Sequence, residues 1–149
     1  ASPEAEIMQA GCPLFVPLAE EGWTAEPETF SIAERYLAKI RGFKPDALVL
    51  GCTHYPILRA VIQQTVGDGV KLVDSGEATA DEVRQLLAEN GLANPNASSG
   101  NRQLCDDLDH FYVTDAAERF ASVAERFLGT KPSKLEAIEV YGLDRLKST

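Results

Sequence analysis

The chain has 149 residues, with 14 Lys and Arg against 23 Asp and Glu for a formal net charge of −9. A hydrophobic content of 44% and a charged content of 25% are ordinary for a soluble globular protein of one domain with a core of its own. The acidic balance argues against a nucleic-acid partner, no apolar run approaches the ~18 residues of a membrane span, and no basic lead-in followed by an apolar stretch marks a signal peptide.

In chain order, Ala1-Ser2-Pro3 opens without Met, and the chain is expected to be a piece of a longer protein. Glu6 to Gly11 is a short strand candidate. Cys12-Pro13-Leu14-Phe15-Val16-Pro17-Leu18 reads as an extended loop, because its two prolines cannot donate to a central sheet ladder. Pro27 sits as a first-turn proline of a helix in which Phe30, Ala33, Leu37 and Ile40 recur at helical spacing up to Gly42. Ala47-Leu48-Val49-Leu50 is a continuous apolar run of the kind that forms a strand buried on both faces. Pro56 then opens a helix with Ile57, Leu58, Val61, Ile62 and Thr65 on its apolar face, stopped at Gly67 to Gly69.

Val70-Lys71-Leu72-Val73 is the next strand, followed by Asp74 and Ser75 as strand end and helix cap. The helix through Val83, Leu86 and Leu87 closes at Asn90-Gly91. Residues 92–107 are rich in Asn, Ser, Gly and Pro and read as a surface loop that marks a boundary. His110 to Val113 is a strand. Thr114 is placed to cap a helix carrying Phe120, Ala124, Phe127 and Leu128 up to Gly129, and Glu136 to Tyr141 is the last strand. The alternation predicts an α/β fold with a mostly parallel sheet flanked by helices.

The cysteines, Cys12, Cys52 and Cys105, are odd in number and far apart, with no CxxC pair. This disfavours a disulfide scaffold or a zinc site and fits a reduced, cytoplasmic compartment. Cys12 reads as structural, and Cys105 has no assigned role. Cys52 falls between a strand and a helix, at the end of the strands where α/β folds bind ligands. The N-terminus of the following helix favours a thiolate there, and His54, two residues on, can share its proton. On position alone, a buried inert thiol and a structural histidine explain the pair about as well, and no further ligand pair supports a metal site.

The run Leu48-Val49-Leu50-Gly51-Cys52-Thr53-His54-Tyr55-Pro56 resembles the second catalytic motif of glutamate racemases, in the aspartate/glutamate racemase superfamily. The segments Cys12 to Gly22, Val73-Asp74-Ser75-Gly76, and Phe111 to Asp115 with Glu118-Arg119-Phe120 resemble the family in the same order, so the likeness spans nearly the whole chain. It implies the C-terminal half of a two-domain racemase fold. Residues 1–91 would be the second α/β catalytic domain, incomplete at its N-terminus, and residues 92–149 would return to a first domain that is absent.

The resemblance further implies cofactor-independent racemisation of L- and D-glutamate between two cysteines, one from each domain, supplying D-glutamate for peptidoglycan. Cys52 would be an acid/base, His54 would assist its proton transfer, and Thr53 and Glu20 would bind substrate. No metal or other cofactor is implied, and a homodimer is compatible with the family. Alone, the chain would be inactive for want of the second thiol. Another amino-acid or hydantoin racemase of the superfamily, or a non-catalytic binding module built on a racemase half, are the competing readings.

Overall fold

The computed structural model of the chain describes residues 4–94 and 109–139. Cys105, most of the 92–107 loop and the Tyr141 end of the expected last strand lie outside the described residues. The chain divides into two compact units, Ala1–Asn94 and Pro95–Thr149.

In the first unit the order is α1 (Phe15–Glu21), α2 (Pro27–Phe43), β1 (Ala47–Leu50), a 3₁₀ turn (Tyr55–Leu58), α3 (Arg59–Val66), β2 (Lys71–Asp74) and α4 (Ser75–Glu89). β1 and β2 pair in parallel, with Leu48 opposite Leu72 and Val49 opposite Val73. The parallel α/β character expected from the sequence is therefore present.

The proline-bearing segment is a helix rather than an extended loop. Pro17 is the third residue of α1, in the first turn, where a missing N–H breaks no intrahelical bond. Phe15, Leu18 and Ala19 stand at i, i+3 and i+4 and are all buried. Gly22 ends the helix at φ 79, in the left-handed region that glycine adopts without a Cβ penalty. Glu6 to Gly11 forms no strand; these residues are exposed, and no ladder is recorded for them.

α2 packs on α3, and α1 packs on the 3₁₀ turn. The core gathers Phe15, Leu18, Ala33, Leu37, Ile40, Leu50, Leu58, Val61, Ile62 and Leu72. Phe15 is 1% exposed and meets the rings of Tyr36 and Tyr55 edge-on, at centroid separations of 5.6 and 5.5 Å. Edge-to-face pairs contribute about 0.5–1.5 kcal/mol each beyond burial. Phe15 thus clamps α1 to both α2 and the turn after β1. Polar ties run alongside: the Leu14 N–H donates to the Tyr36 hydroxyl at 3.3 Å, and the Tyr55 hydroxyl donates to the Cys12 carbonyl at 3.4 Å.

β1 is not buried on both faces as its apolar run suggested. Leu50 is 2% exposed but Val49 is 61% exposed, because the helices of this unit cover only the face that carries Leu48, Leu50 and Leu72. α4 forms as expected, and the Asp74 carboxylate caps it by accepting the Gly76 N–H at 2.7 Å. Yet none of its residues is buried.

The second unit holds β3 (Phe111–Val113), α5 (Ala117–Leu128) and β4 (Leu135–Ala137), with β3 and β4 parallel. Thr114 is not the cap of α5. Ala116 occupies that position at φ 47 without a side-chain bond. Ala121 and Ala124 are the buried residues of α5, while Phe120 and Phe127 are 39% and 42% exposed. β4 starts at Leu135 and ends at Ala137, one residue earlier at its start than the sequence suggested and short of the expected length.

Candidate active site

The chain leaves β1 at Leu50 and turns sharply, the Tyr55 N–H donating to the Cys52 carbonyl at 3.1 Å and the Ile57 N–H to the His54 carbonyl at 3.2 Å. This turn stands at the carboxyl end of a parallel strand, where α/β sheets leave room for ligands. It presents Cys52, Thr53 and His54 in succession. Cys52 is partly exposed, Thr53 exposed and His54 half-buried.

The His54 ring has two engaged edges. Nδ1 lies 3.9 Å from the Cys52 Sγ and 3.4 Å from the Thr53 Oγ1. Nε2 lies 3.4 Å from the Glu20 Oε1, with 23% and 26% of the two side chains exposed. A carboxylate can only accept, so its contact favours a proton on Nε2 and leaves the Nδ1 lone pair facing the thiol. Thiol, imidazole and carboxylate thus stand in a row, an arrangement of the kind that general acid–base chemistry at a thiol uses.

Sequence reasoning placed Cys52, Thr53, His54 and Glu20 at the site, and the structure brings all four side chains together. Glu20 arrives from α1, the helix that the prolines concealed. Its carboxylate meets the imidazole, so Glu20 engages the site through His54.

Phe15 and Tyr55 were not singled out from the sequence. They dock α1 against the turn and so fix the distance from Glu20 to His54. The available signal was the i, i+3, i+4 spacing of Phe15, Leu18 and Ala19. Burial pushes the Tyr55 phenol above its ordinary range, and the neighbouring Cys12 and Cys52 thiols add to this. Cys12 is 4% exposed, and burial likewise pushes its thiol up. It therefore stays neutral, as a structural cysteine should. Among the described residues, no group of three or more His, Cys, Asp and Glu could hold a metal ion, and no helix is long and apolar enough to cross a membrane.

Fold and site define a class: an α/β chain with a thiol, an imidazole and a carboxylate in a row at a strand end. No family model matches the chain. The glutamate racemase of Geobacter metallireducens is 46% identical over 130 residues, which cover 87% of this chain and 46% of that protein. A crystal structure of glutamate racemase from Francisella tularensis subsp. tularensis SCHU S4, in complex with D-glutamate, superposes with a TM-score of 0.75. It is 36% identical and is matched over 93% of this chain and 49% of its own. Glutamate racemase from Thermus thermophilus, in complex with β-chloro-D-alanine, superposes with a TM-score of 0.71 at 37% identity, over 88% of this chain and 47% of its own. The chain is thus a homologue of the glutamate racemases over most of its own length. It spans about half the length of the relatives it matches.

Proposed function

We propose that this chain supplies one face of a cofactor-independent glutamate racemase. The observation that carries the reading is the row Cys52–His54–Glu20 at the end of β1, in a chain whose relatives are named glutamate racemases. The α-hydrogen of glutamate is a weak acid, and inversion needs a base on one face of the carbon and an acid on the other. As thiolate, Cys52 takes the α-proton: the C–H bond breaks, an S–H bond forms, and the electron pair passes toward the substrate carboxylate. A second thiol, from the half of the fold that this chain does not span, then gives its proton to the opposite face. In the reverse direction Cys52 is the donor. His54 takes and returns the Cys52 proton, Glu20 stabilises the charged ring, and Thr53 binds the substrate through its hydroxyl or N–H.

The complex of the Francisella tularensis relative with D-glutamate supports glutamate as substrate over a hydantoin or another amino acid. The intact Cys52–His54 pair speaks against a non-catalytic module. In this reading residues 1–91 belong to the second catalytic domain and residues 92–149 return to the first. The product, D-glutamate, serves peptidoglycan synthesis in the cytoplasm, and the assembled enzyme is free to form a homodimer.

The test is to produce this chain alone, and together with the part of the Geobacter metallireducens racemase that it does not span. The two-part protein should interconvert D- and L-glutamate and the chain alone should not. Racemisation by the chain alone, or none by the folded two-part protein, would refute the proposal.

A further inference from the structure

The ring nitrogen of His54 that faces Cys52 has a second and nearer neighbour. The Thr53 Oγ1 lies 3.4 Å from Nδ1, against 3.9 Å for the Cys52 Sγ. With the Nε2 proton directed to the Glu20 carboxylate at 3.4 Å, Nδ1 offers a single lone pair, and a hydroxyl is a stronger donor to it than a thiol. Two donors therefore compete for one acceptor, and the hydroxyl is both the closer and the stronger. The turn that carries them is fixed by the Tyr55 N–H on the Cys52 carbonyl and the Ile57 N–H on the His54 carbonyl. What remains adjustable is the hydroxyl itself, which rotates to suit its partner. Thr53 is exposed, so a ligand can reach that hydroxyl.

We infer that the Thr53 hydroxyl restrains Cys52: it occupies Nδ1 of His54 when no substrate is bound, and a substrate that engages the hydroxyl releases Nδ1 to the thiol. The inference rests on the racemase reading above and adds to it the moment at which the thiol is activated. Glutamate carries carboxylates, which only accept, so one of them draws the hydroxyl proton away from the ring. The Cys52 S–H then turns to Nδ1. Its S–H bond breaks, an N–H bond forms, the electron pair stays on sulfur, and the Glu20 carboxylate faces the imidazolium that results. No proton enters or leaves the row. Because the thiolate is the form that oxidants and electrophiles attack, a thiol held protonated until substrate arrives is protected while idle. A Thr53 that only touches substrate would have no effect on the thiol of the empty chain.

The rate of Cys52 alkylation by iodoacetamide, read by peptide mass spectrometry on the substrate-free chain, tests the restraint, with the 4% exposed Cys12 as a slow internal reference. Thr53→Val keeps the branched shape and removes the hydroxyl; the rate should rise about three- to tenfold, the span that one net hydrogen bond covers. Thr53→Ser should bring the slow rate back. In a His54→Asn background Thr53→Val should change nothing, because the hydroxyl acts through the ring. Circular dichroism identifies the variants that are folded. An unchanged or lower rate in folded Thr53→Val overturns the inference and leaves the racemase reading standing, as does a rise that persists without His54. In the two-part protein, D-glutamate should move the ¹⁵N resonance of His54 Nδ1 towards its protonated position. Glutamate that is racemised without moving that resonance overturns the inference. The predicted alkylation pattern together with an assembled, folded protein that leaves glutamate unaltered supports the restraint and overturns the racemase reading.

Discussion

The Glu20 carboxylate lies 3.4 Å from Nε2 of His54, while Nδ1 of the same ring lies 3.9 Å from the Cys52 sulfur. Two residues 34 positions apart in the chain thereby set which imidazole nitrogen faces the thiol. Replacing Glu20 by Gln keeps the shape and removes the charge that steadies the protonated ring. The racemisation kcat of the two-part protein should fall at least tenfold, about 1.4 kcal/mol of barrier, with the melting temperature unchanged. Steady-state kinetics across pH check this: a merely structural Glu20 would leave the shape of the pH profile unaltered.

His54→Asn replaces the Nδ1 that faces the Cys52 sulfur with an amide that cannot take up its proton. General acid–base assistance is worth about 10²–10⁴-fold, and kcat should fall within that range with a smaller change in KM. The rate of Cys52 alkylation by iodoacetamide should fall in parallel. Unchanged alkylation would show that the imidazole does not activate the thiol.

Phe15→Ala opens the clamp that joins α1, Tyr36 and Tyr55. Truncating a fully buried Phe costs about 3–5 kcal/mol, and urea unfolding of the chain measures the loss. Activity of the two-part protein should fall further than the folded fraction accounts for, because α1 carries Glu20 to the site.

Burial raises the pKa values of the Cys12 thiol and the Tyr55 phenol in the folded state, with the nearby thiols adding to the second. The unfolded chain therefore releases these protons first, beginning near pH ~8.5 for the thiol and ~10 for the phenol. Their contribution to stability is complete below those values and is lost as pH rises through the folded ones. Unfolding free energy should be level between pH 7 and 8 and decline above about 9. Tyr55→Phe should flatten the upper part of that decline. A decline of equal slope in Tyr55→Phe would assign it to other groups.

The elements with clear periodicity were legible from the residues alone. α2 follows from Phe30, Ala33, Leu37 and Ile40, and β1 from its apolar run. The Asp74 cap of α4 is likewise a local signal. α1 was not legible, because Pro13 and Pro17 read as breakers and the tolerance of a first turn for proline depends on where the helix begins. The exposure of Val49 was hidden for another reason: an apolar run states that a strand wants cover, not that this chain supplies it. The same holds for Val83, Leu86 and Leu87. At the site, Cys52 and His54 are local and readable from the turn, and Glu20 came from resemblance. The Phe15–Tyr55 contact that unites them joins α1 to a turn 40 residues later, and no local pattern encodes it.

The most direct measurement is deuterium incorporation at the α-carbon of D- and L-glutamate, followed by proton NMR in deuterated buffer, with the two-part protein and its Cys52→Ala variant. The account predicts that each enantiomer exchanges its α-proton and yields the other, and that racemisation disappears in the variant while the complex stays folded. Glutamate that keeps its α-proton in the presence of the folded, assembled protein, or racemisation that survives the loss of Cys52, would contradict it.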